Sequence, residues 1–169
     1  MRFTRILFVK TGHLKNTFLS LLIVSLLGAC NTSVDVFEKN VTIPNQAWSA
    51  DFKPSISFTV TDTAARYNIY VVVRHTDAYQ FNNIWVNIYT RIPGDSINKK
   101  QQLDLRLATD EKGWLASGMD DIFEHRILIT AQPEALTRAG SYNFTLENIM
   151  RVDPLPGVLN VGIRVEKAK

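Results

Sequence analysis

Apolar and polar residues alternate with a period of two along most of the chain after residue 34. The cleanest example is residues 55–61, where every second side chain is apolar: Ile56, Phe58 and Val60. Such alternation predicts β-strands with one buried face. The same pattern, or an enrichment in β-branched and aromatic residues, predicts further strands at 34–43, 67–74, 83–92, 100–107, 127–129, 142–146 and 159–165.

Turn-forming residues separate these predicted strands, at 93–95, 110–113, 139–141 and 154–157. About eight short strands at this spacing predict one all-β domain folded as a β-sandwich, of which a jelly roll is one arrangement. Two segments break the pattern. In 118–125, Asp120 or Asp121 is placed to cap a short helical turn, and 147–151 is the second candidate for such a turn.

The first 30 residues have the pattern of a secretory signal. Four basic residues and no acidic residue accompany a largely apolar run, 18–27, which ends in Leu27-Gly28-Ala29-Cys30. This order is the lipobox of a bacterial lipoprotein, and the run is too short to span a bilayer. We expect a signal peptide over 1–29, lipidation of Cys30, a tether over 30–33 and a β-sandwich over 34–169. The alternatives are a secreted protein with a chance cysteine, or a short membrane anchor.

Removal of the signal changes the charge of the protein. The full chain has 19 basic and 16 acidic residues, and all four basic residues before Cys30 leave with the signal, which gives a net charge of −1. Nucleic-acid binding needs a retained basic patch, so we expect no nucleic-acid partner. Cys30 is the only cysteine, and its lipidation leaves no thiol for a disulfide, a metal site or a nucleophile.

Lipid attachment predicts stable membrane binding, because two acyl signals hold a protein on a bilayer. Asn31 follows the cysteine, whereas an aspartate there would favour retention at the inner membrane. The next residues lack the acidic cluster associated with surface export. We therefore expect the protein on the periplasmic face of the outer membrane.

Candidates for chemistry are few. The segment 120–125 holds three carboxylates and His125, but it lacks the regular oxygen spacing of a calcium loop, so a solvated turn is the favoured interpretation. His75 ends a predicted strand and has no nucleophile motif beside it, which favours a structural or contact role. A pair of glycosidase carboxylates stays open on sequence alone. We expect no metal, no cofactor and no enzymatic activity.

The aromatic residues allow two interpretations. Trp48, Trp85, Trp114, Tyr79 and Phe81 form either a platform for a sugar or partner, or part of the core. We expect one or two of the tryptophans in the core and at most one on the surface.

Residues 150–157 contain two prolines and a glycine, which predicts a rigid loop that loses little entropy on binding. Either the loop presents Leu155 outward, flanked by Arg151 and Asp153, or Leu155 closes the open end of the sandwich. The sequence leaves both possibilities open.

Several motifs follow the lipobox in a fixed order. They include Pro44-Asn45-Gln46-Ala47-Trp48, Arg74-His75-x-x-x-Tyr79, Gly113-Trp114-Leu115-Ala116-x-Gly118 and Met150-Arg151-x-Asp153-x-Leu155-Pro156-Gly157. In this order they resemble the gliding motility-associated lipoprotein family GldH of the Bacteroidota, over essentially the whole mature chain. The resemblance implies a lipoprotein needed for gliding in bacteria that use the type IX secretion system, and relatives also occur in bacteria that do not glide. It supplies no catalytic residues.

We therefore expect a non-enzymatic envelope lipoprotein that contacts other gliding or secretion proteins. The predicted contact surface combines a strand-end group and the loop: Arg74, His75, Tyr79, Arg151, Asp153 and Leu155. The alternative is a carbohydrate-binding envelope lipoprotein, which would show a coplanar set of exposed aromatic residues or a carboxylate pair in a groove.

Overall fold

A computed structural model describes residues 36–168, which are folded mainly as β-strands. The predicted signal peptide, the tether and Cys30 lie outside the described residues. In the described part the strands are β1 (Val36–Thr42), β2 (Ala47–Trp48), β3 (Ser55–Val60), β4 (Arg66–Thr76), β5 (Asn83–Arg91), β6 (Asn98–Arg106), β7 (Ala108–Thr109), β8 (Gly113–Trp114), β9 (Ser117–Met119), β10 (Ile122–Leu128), β11 (Glu134–Ala135), β12 (Gly140–Asn148), β13 (Leu155–Pro156) and β14 (Val158–Lys167). One short 3-10 turn spans Pro44–Gln46.

Eight of the described strands have six or more residues, and they form two antiparallel sheets. Sheet I has the order β1-β14-β4-β10 and is extended by β9, with β11 paired to β4; sheet II has the order β3-β12-β5-β6. Counted one to eight along the chain, the long strands run 1-8-3-6 in one sheet and 2-7-4-5 in the other. This nested order is that of a jelly roll. The predicted all-β sandwich is confirmed, with jelly-roll strand order.

The core lies between the sheets and follows the alternation in the sequence. On β5, Ile84, Val86 and Ile88 are at most 1% exposed, and on β3 the buried residues are Ile56 and Val60. These inward side chains bury the apolar area that drives folding. No helix within residues 36–168 is both long and apolar enough to cross a membrane.

The two predicted helical turns are wrong, because both segments are extended. Residues 117–128 form the hairpin of β9 and β10, and Asp120 in its turn has φ +54°, a left-handed conformation that aspartate tolerates. Pairing of β10 with β4 satisfies the backbone groups that a helix would have paired internally. The second segment begins inside β12, where Glu147 pairs with Asn87.

The sandwich has two distinct ends. At the anchor end, Val36 at the start of β1 lies opposite Glu166 near the end of β14. At the loop end, Val158 at the start of β14 lies opposite His75 near the end of β4. The strand rise of about 3.3 Å per residue separates these two ends of β14 by roughly 25–30 Å.

Candidate contact surface at the loop end

The structure brings the six predicted contact residues to the loop end but buries three of them. His75, Tyr79 and Leu155 are 0–3% exposed, whereas Arg74, Arg151 and Asp153 stay accessible. A direct partner contact is therefore wrong for the three buried side chains. β13 pairs with β2 and places Leu155 opposite Trp48, so Leu155 closes the end of the sandwich.

His75 and His125 form the centre of a closed aromatic cluster. Their Nε2 atoms are 2.9 Å apart, and their stacked rings have centroids 5.0 Å apart. Around His75, the ring centroids of Trp114, Tyr79 and Phe123 lie at 4.4, 5.0 and 5.5 Å. Both histidines are at most 2% exposed, so the cluster closes the loop end to water.

The hydrogen bonds of the pair assign its protons. Nδ1 of His75 donates to the Thr76 carbonyl at 2.7 Å, so its Nε2 accepts the proton carried by Nε2 of His125. Nδ1 of His125 is buried without a well-formed hydrogen bond. Burial lowers the pKa of His75. Burial, followed by the proximity of His75, lowers the pKa of His125 to about 4, against a smaller opposing effect of the Leu115 backbone.

The acidic segment before His125 forms the turn of the β9–β10 hairpin. Within residues 36–168, no group of three or more histidine, cysteine, aspartate or glutamate side chains is placed to hold a metal ion. Asp120 and Asp121 lie exposed in the hairpin turn, while His125 is directed inward to His75. The turn is solvated, as the sequence indicated, but it joins two strands of the same sheet rather than bridging two sheets.

The contact loop, residues 149–157, is held at both ends. The Asn148 side chain donates from Nδ2 to the Trp48 carbonyl and accepts from the Met150 N–H, both at 2.9 Å. Further along, Oδ1 of Asp153 accepts the Ala50 N–H at 2.9 Å. These contacts and the buried Leu155 fix the backbone of the loop, so binding by its exposed residues would order few groups.

Gly157 joins the contact loop to the strand-end group. Its N–H donates to the Gln46 carbonyl and its carbonyl accepts the Thr76 N–H, both at 2.9 Å. Its φ is +81°, and a Cβ there would lie 3.1 Å from the backbone nitrogen of Tyr79. Glycine meets both demands because it has no Cβ. The two halves of the predicted surface are therefore one connected structure.

An apolar groove of about 490 Å³ lies beside the contact loop. We call it the Trp85 groove; its lining residues are Phe81, Trp85, Gln102, Ile149, Met150, Arg151 and Val152. Trp85 is 38% and Val152 42% exposed. The Ile149 N–H donates to the Trp85 carbonyl at 3.1 Å, and the Trp85 N–H donates to Sδ of Met150 at 3.3 Å. These bonds hold the loop against β5.

The tryptophans divide as the sequence indicated. Trp48 is fully buried, Trp114 is half-buried in the histidine cluster, and Trp85 lies on the surface. Sequence alone missed the groove, since nothing in it shows that residues 149–152 return to the side of β5. The one sequence feature that pointed to the groove was the alternation on β5, which turns Trp85 outward between the inward Ile84 and Val86.

Glu147 lies on the outer face of sheet II and binds three side chains. Lys53 Nζ lies at 2.6 Å, and Tyr89 OH and Asn87 Nδ2 both donate at 2.7 Å. These hydrogen bonds, that of Lys53 first, lower the pKa of Glu147 to about 2. A carboxylate held ionised in this way is poorly suited to general acid or base catalysis near neutral pH.

The protein is thus a jelly-roll sandwich domain. Its contact loop is held by hydrogen bonds and lies beside the apolar Trp85 groove at the surface. The model of the GldH lipoprotein family matches residues 35–165. The chain therefore belongs to the GldH lipoprotein family, which confirms the resemblance drawn from its motifs. Membership makes it a lipoprotein, and hence a lipid-anchored protein of the cell envelope.

One relative and one solved structure illustrate the similarity. The gliding motility lipoprotein GldH of Flavobacterium johnsoniae is 26% identical over 162 residues, which cover 92% of this chain and 98% of the relative. A chain from the structure of infectious bursal disease virus, strain Gx, matches 82% of this chain with 13% identity and a TM-score of 0.26. This chain covers 33% of that viral chain, and a score so low carries no argument.

Proposed function

We propose that this protein is a non-catalytic accessory component of gliding motility that works with the associated type IX secretion machinery. The observation that carries the proposal is the family match, which spans residues 35–165 and so nearly the whole sandwich. The relative named for gliding motility aligns over 98% of its own length. The similarity therefore extends to the loop end and its contact loop.

The two buried histidines and Glu147 are bonded to other residues of the same chain, which supports a non-catalytic role. A general base must reach the proton that it abstracts, but His75 and His125 bond each other inside an aromatic enclosure. Glu147 is held by three partners of its own chain. His75, His125 and Glu147, whose pKa values are all lowered, thus stabilise the fold.

The lipid on Cys30 supplies the proposed mechanism. It would confine the sandwich to the periplasmic face of the outer membrane. The outer membrane is favoured because Asn31, rather than an aspartate, follows the cysteine. Confinement to a surface raises the effective concentration of the domain for partners on that surface. We propose the exposed Arg151 and Asp153 and the partly exposed Arg74 for partner contact.

Three strains of the native bacterium test the proposal: wild type, a deletion, and Cys30→Ala expressed at the wild-type level. Cell movement on glass and the quantity of secreted proteins in the medium are measured for each. We expect deletion to impair both, and Cys30→Ala to resemble the deletion because the domain is no longer confined. A deletion strain that moves and secretes like wild type would overturn the proposal.

The carbohydrate-binding alternative receives less support from the surface. It predicts a coplanar set of exposed aromatic residues or a carboxylate pair in a groove. Trp85 is the one aromatic residue within 36–168 that is exposed, and no carboxylate lines the groove beside it. The lining around Trp85 is also mainly apolar.

A further inference from the structure

We propose that the Trp85 groove docks a protein segment that carries a large apolar side chain next to a carboxylate. The inference rests on the proposed function, in that the protein acts through partners, and it adds the surface and the chemistry of the partner. Three properties of the groove carry it: its lining, its unpaired cation and its position on the sandwich.

The lining has the composition of a protein-binding hot spot. Five of its seven residues are apolar, and a tryptophan, a phenylalanine, a methionine and an arginine lie together. Aromatic residues, methionine and arginine are enriched at interfaces, and tryptophan and arginine dominate their binding energy. The volume of about 490 Å³ lies in the range of sites that enclose small ligands. The groove is therefore large enough for an aromatic or long aliphatic side chain.

The charge at the rim specifies the neighbouring group. Arg151 is exposed, makes no ion pair within residues 36–168 and is the arginine that lines the Trp85 groove. Asp153 lies two residues further on but is not within ion-pair distance of Arg151; its Oδ1 accepts the Ala50 N–H. A free guanidinium beside an apolar groove complements a carboxylate beside an apolar side chain.

The position of the groove favours a protein over the membrane lipid. Lipid attaches at Cys30, six residues before Val36, and Val36 lies at the anchor end. Trp85 and the contact loop lie at the opposite end, roughly 25–30 Å along the strands. The groove thus lies at the opposite end of the sandwich from Val36, the described residue nearest in sequence to Cys30.

The methionines provide a built-in assay. The chain has three, and loss of the signal with Met1 leaves Met150 in the groove and Met119, which is 80% exposed in the β9–β10 hairpin. The lipidated protein, labelled at the methionine methyl groups and placed in nanodiscs, is titrated with two peptides. They are acetyl-Gly-Trp-Glu-Gly-amide and acetyl-Gly-Trp-Lys-Gly-amide, which differ in the sign of one charge. The NMR signal of Met150 reports binding in the groove, and that of Met119 is the internal control.

We expect the acidic peptide to shift Met150 and leave Met119 unchanged. It should bind about two- to fivefold more tightly than the basic peptide, the discrimination expected of one exposed ion pair. Arg151→Glu should reverse this preference, whereas Lys112→Glu, an exposed charge outside the groove, should not. Trp85→Ala should weaken both peptides at least about tenfold. The Arg151→Glu comparison alone decides the question if Trp85→Ala fails to fold.

Four results would overturn the proposal. They are equal affinity for the two peptides, an unchanged preference in Arg151→Glu, a Met150 shift caused by chitohexaose but by neither peptide, and a Met150 shift that depends on protein concentration alone, which would indicate self-association. Motility separates this proposal from the proposed function. If deletion abolishes gliding while the peptides fail to discriminate, the groove proposal is wrong and the accessory role stands. If the peptides behave as expected while deletion leaves movement and secretion unchanged, the groove proposal stands and the accessory role is wrong.

Discussion

Lowering the pH from about 7.5 to about 5 is expected to destabilise the fold through the His75–His125 pair. In the folded protein burial lowers the pKa of both imidazoles, and that of His125 falls from 6.5 to about 4. In the unfolded chain each imidazole regains a pKa of about 6.5. The unfolded state then binds more protons than the folded state between pH 6.5 and about 4. Stability is therefore fully present above this window and is lost as the pH falls through it.

The size of the effect follows from the shift of His125. One pKa unit corresponds to about 1.4 kcal/mol, so the lowering to about 4 is worth about 3 kcal/mol over the whole window, of which about 2 kcal/mol is lost by pH 5. The lowered pKa of His75 adds to this loss. The carboxylates with lowered pKa, Glu38, Asp62 and Glu147, lose their stabilising effect only below about pH 4.5. The change in stability between pH 7.5 and about 5 therefore reports mainly on the two histidines.

Urea unfolding at the two pH values, followed by tryptophan fluorescence, measures this loss. The third histidine, His13, lies in the predicted signal peptide, so the pair accounts for all imidazoles of the mature chain. The double variant His75→Gln/His125→Gln cannot titrate in this range, and its free energy of unfolding should stay nearly constant. A wild-type free energy of unfolding that does not change between pH 7.5 and 5 would refute the reasoning. So would an equal decline in the double variant.

Three further predictions concern stability. Leu155→Ala should lower the free energy of unfolding by about 2–5 kcal/mol, because Leu155 is fully buried; a urea titration with a loss below 1 kcal/mol would contradict its role in closing the sandwich. Gly157→Ala should cost about 1–3 kcal/mol more than Gly113→Ala, since both have positive φ but only a Cβ at Gly157 meets the backbone of Tyr79, and thermal unfolding of the two variants should differ accordingly. Glu147→Gln should cost roughly 1–2 kcal/mol at pH 7 and should reduce the loss of wild-type stability between pH 4.5 and about 2, because Glu147, whose pKa is lowered to about 2, no longer contributes to that loss. Glu38 and Asp62 still contribute in this range. Acid titrations that stay parallel for the two proteins would exclude the role of Glu147.

Local sequence patterns predicted most of the fold. Every long strand overlaps a predicted one, because inward and outward side chains alternate along a strand and the core selects one set. The failures are instructive. At 118–125 the capping potential of Asp120 and Asp121 indicated a helical turn, yet β10 pairs with β4 across about 50 residues of sequence. Local propensity carries no information about such a distant partner.

The division between sequence and tertiary structure is clearest at the loop end. Alternation and proline content are local properties, so they were sufficient to predict the all-β class, a rigid loop over residues 150–157 and at most one tryptophan on the surface. Three contacts could be seen only in the folded chain: His75 meets His125, Leu155 turns inward against Trp48, and residues 149–152 lie beside Trp85 to form a groove. Each of these contacts joins residues far apart in the chain. They form because the strand topology brings these side chains together at the open end of the sandwich, where closing that end buries their apolar surface.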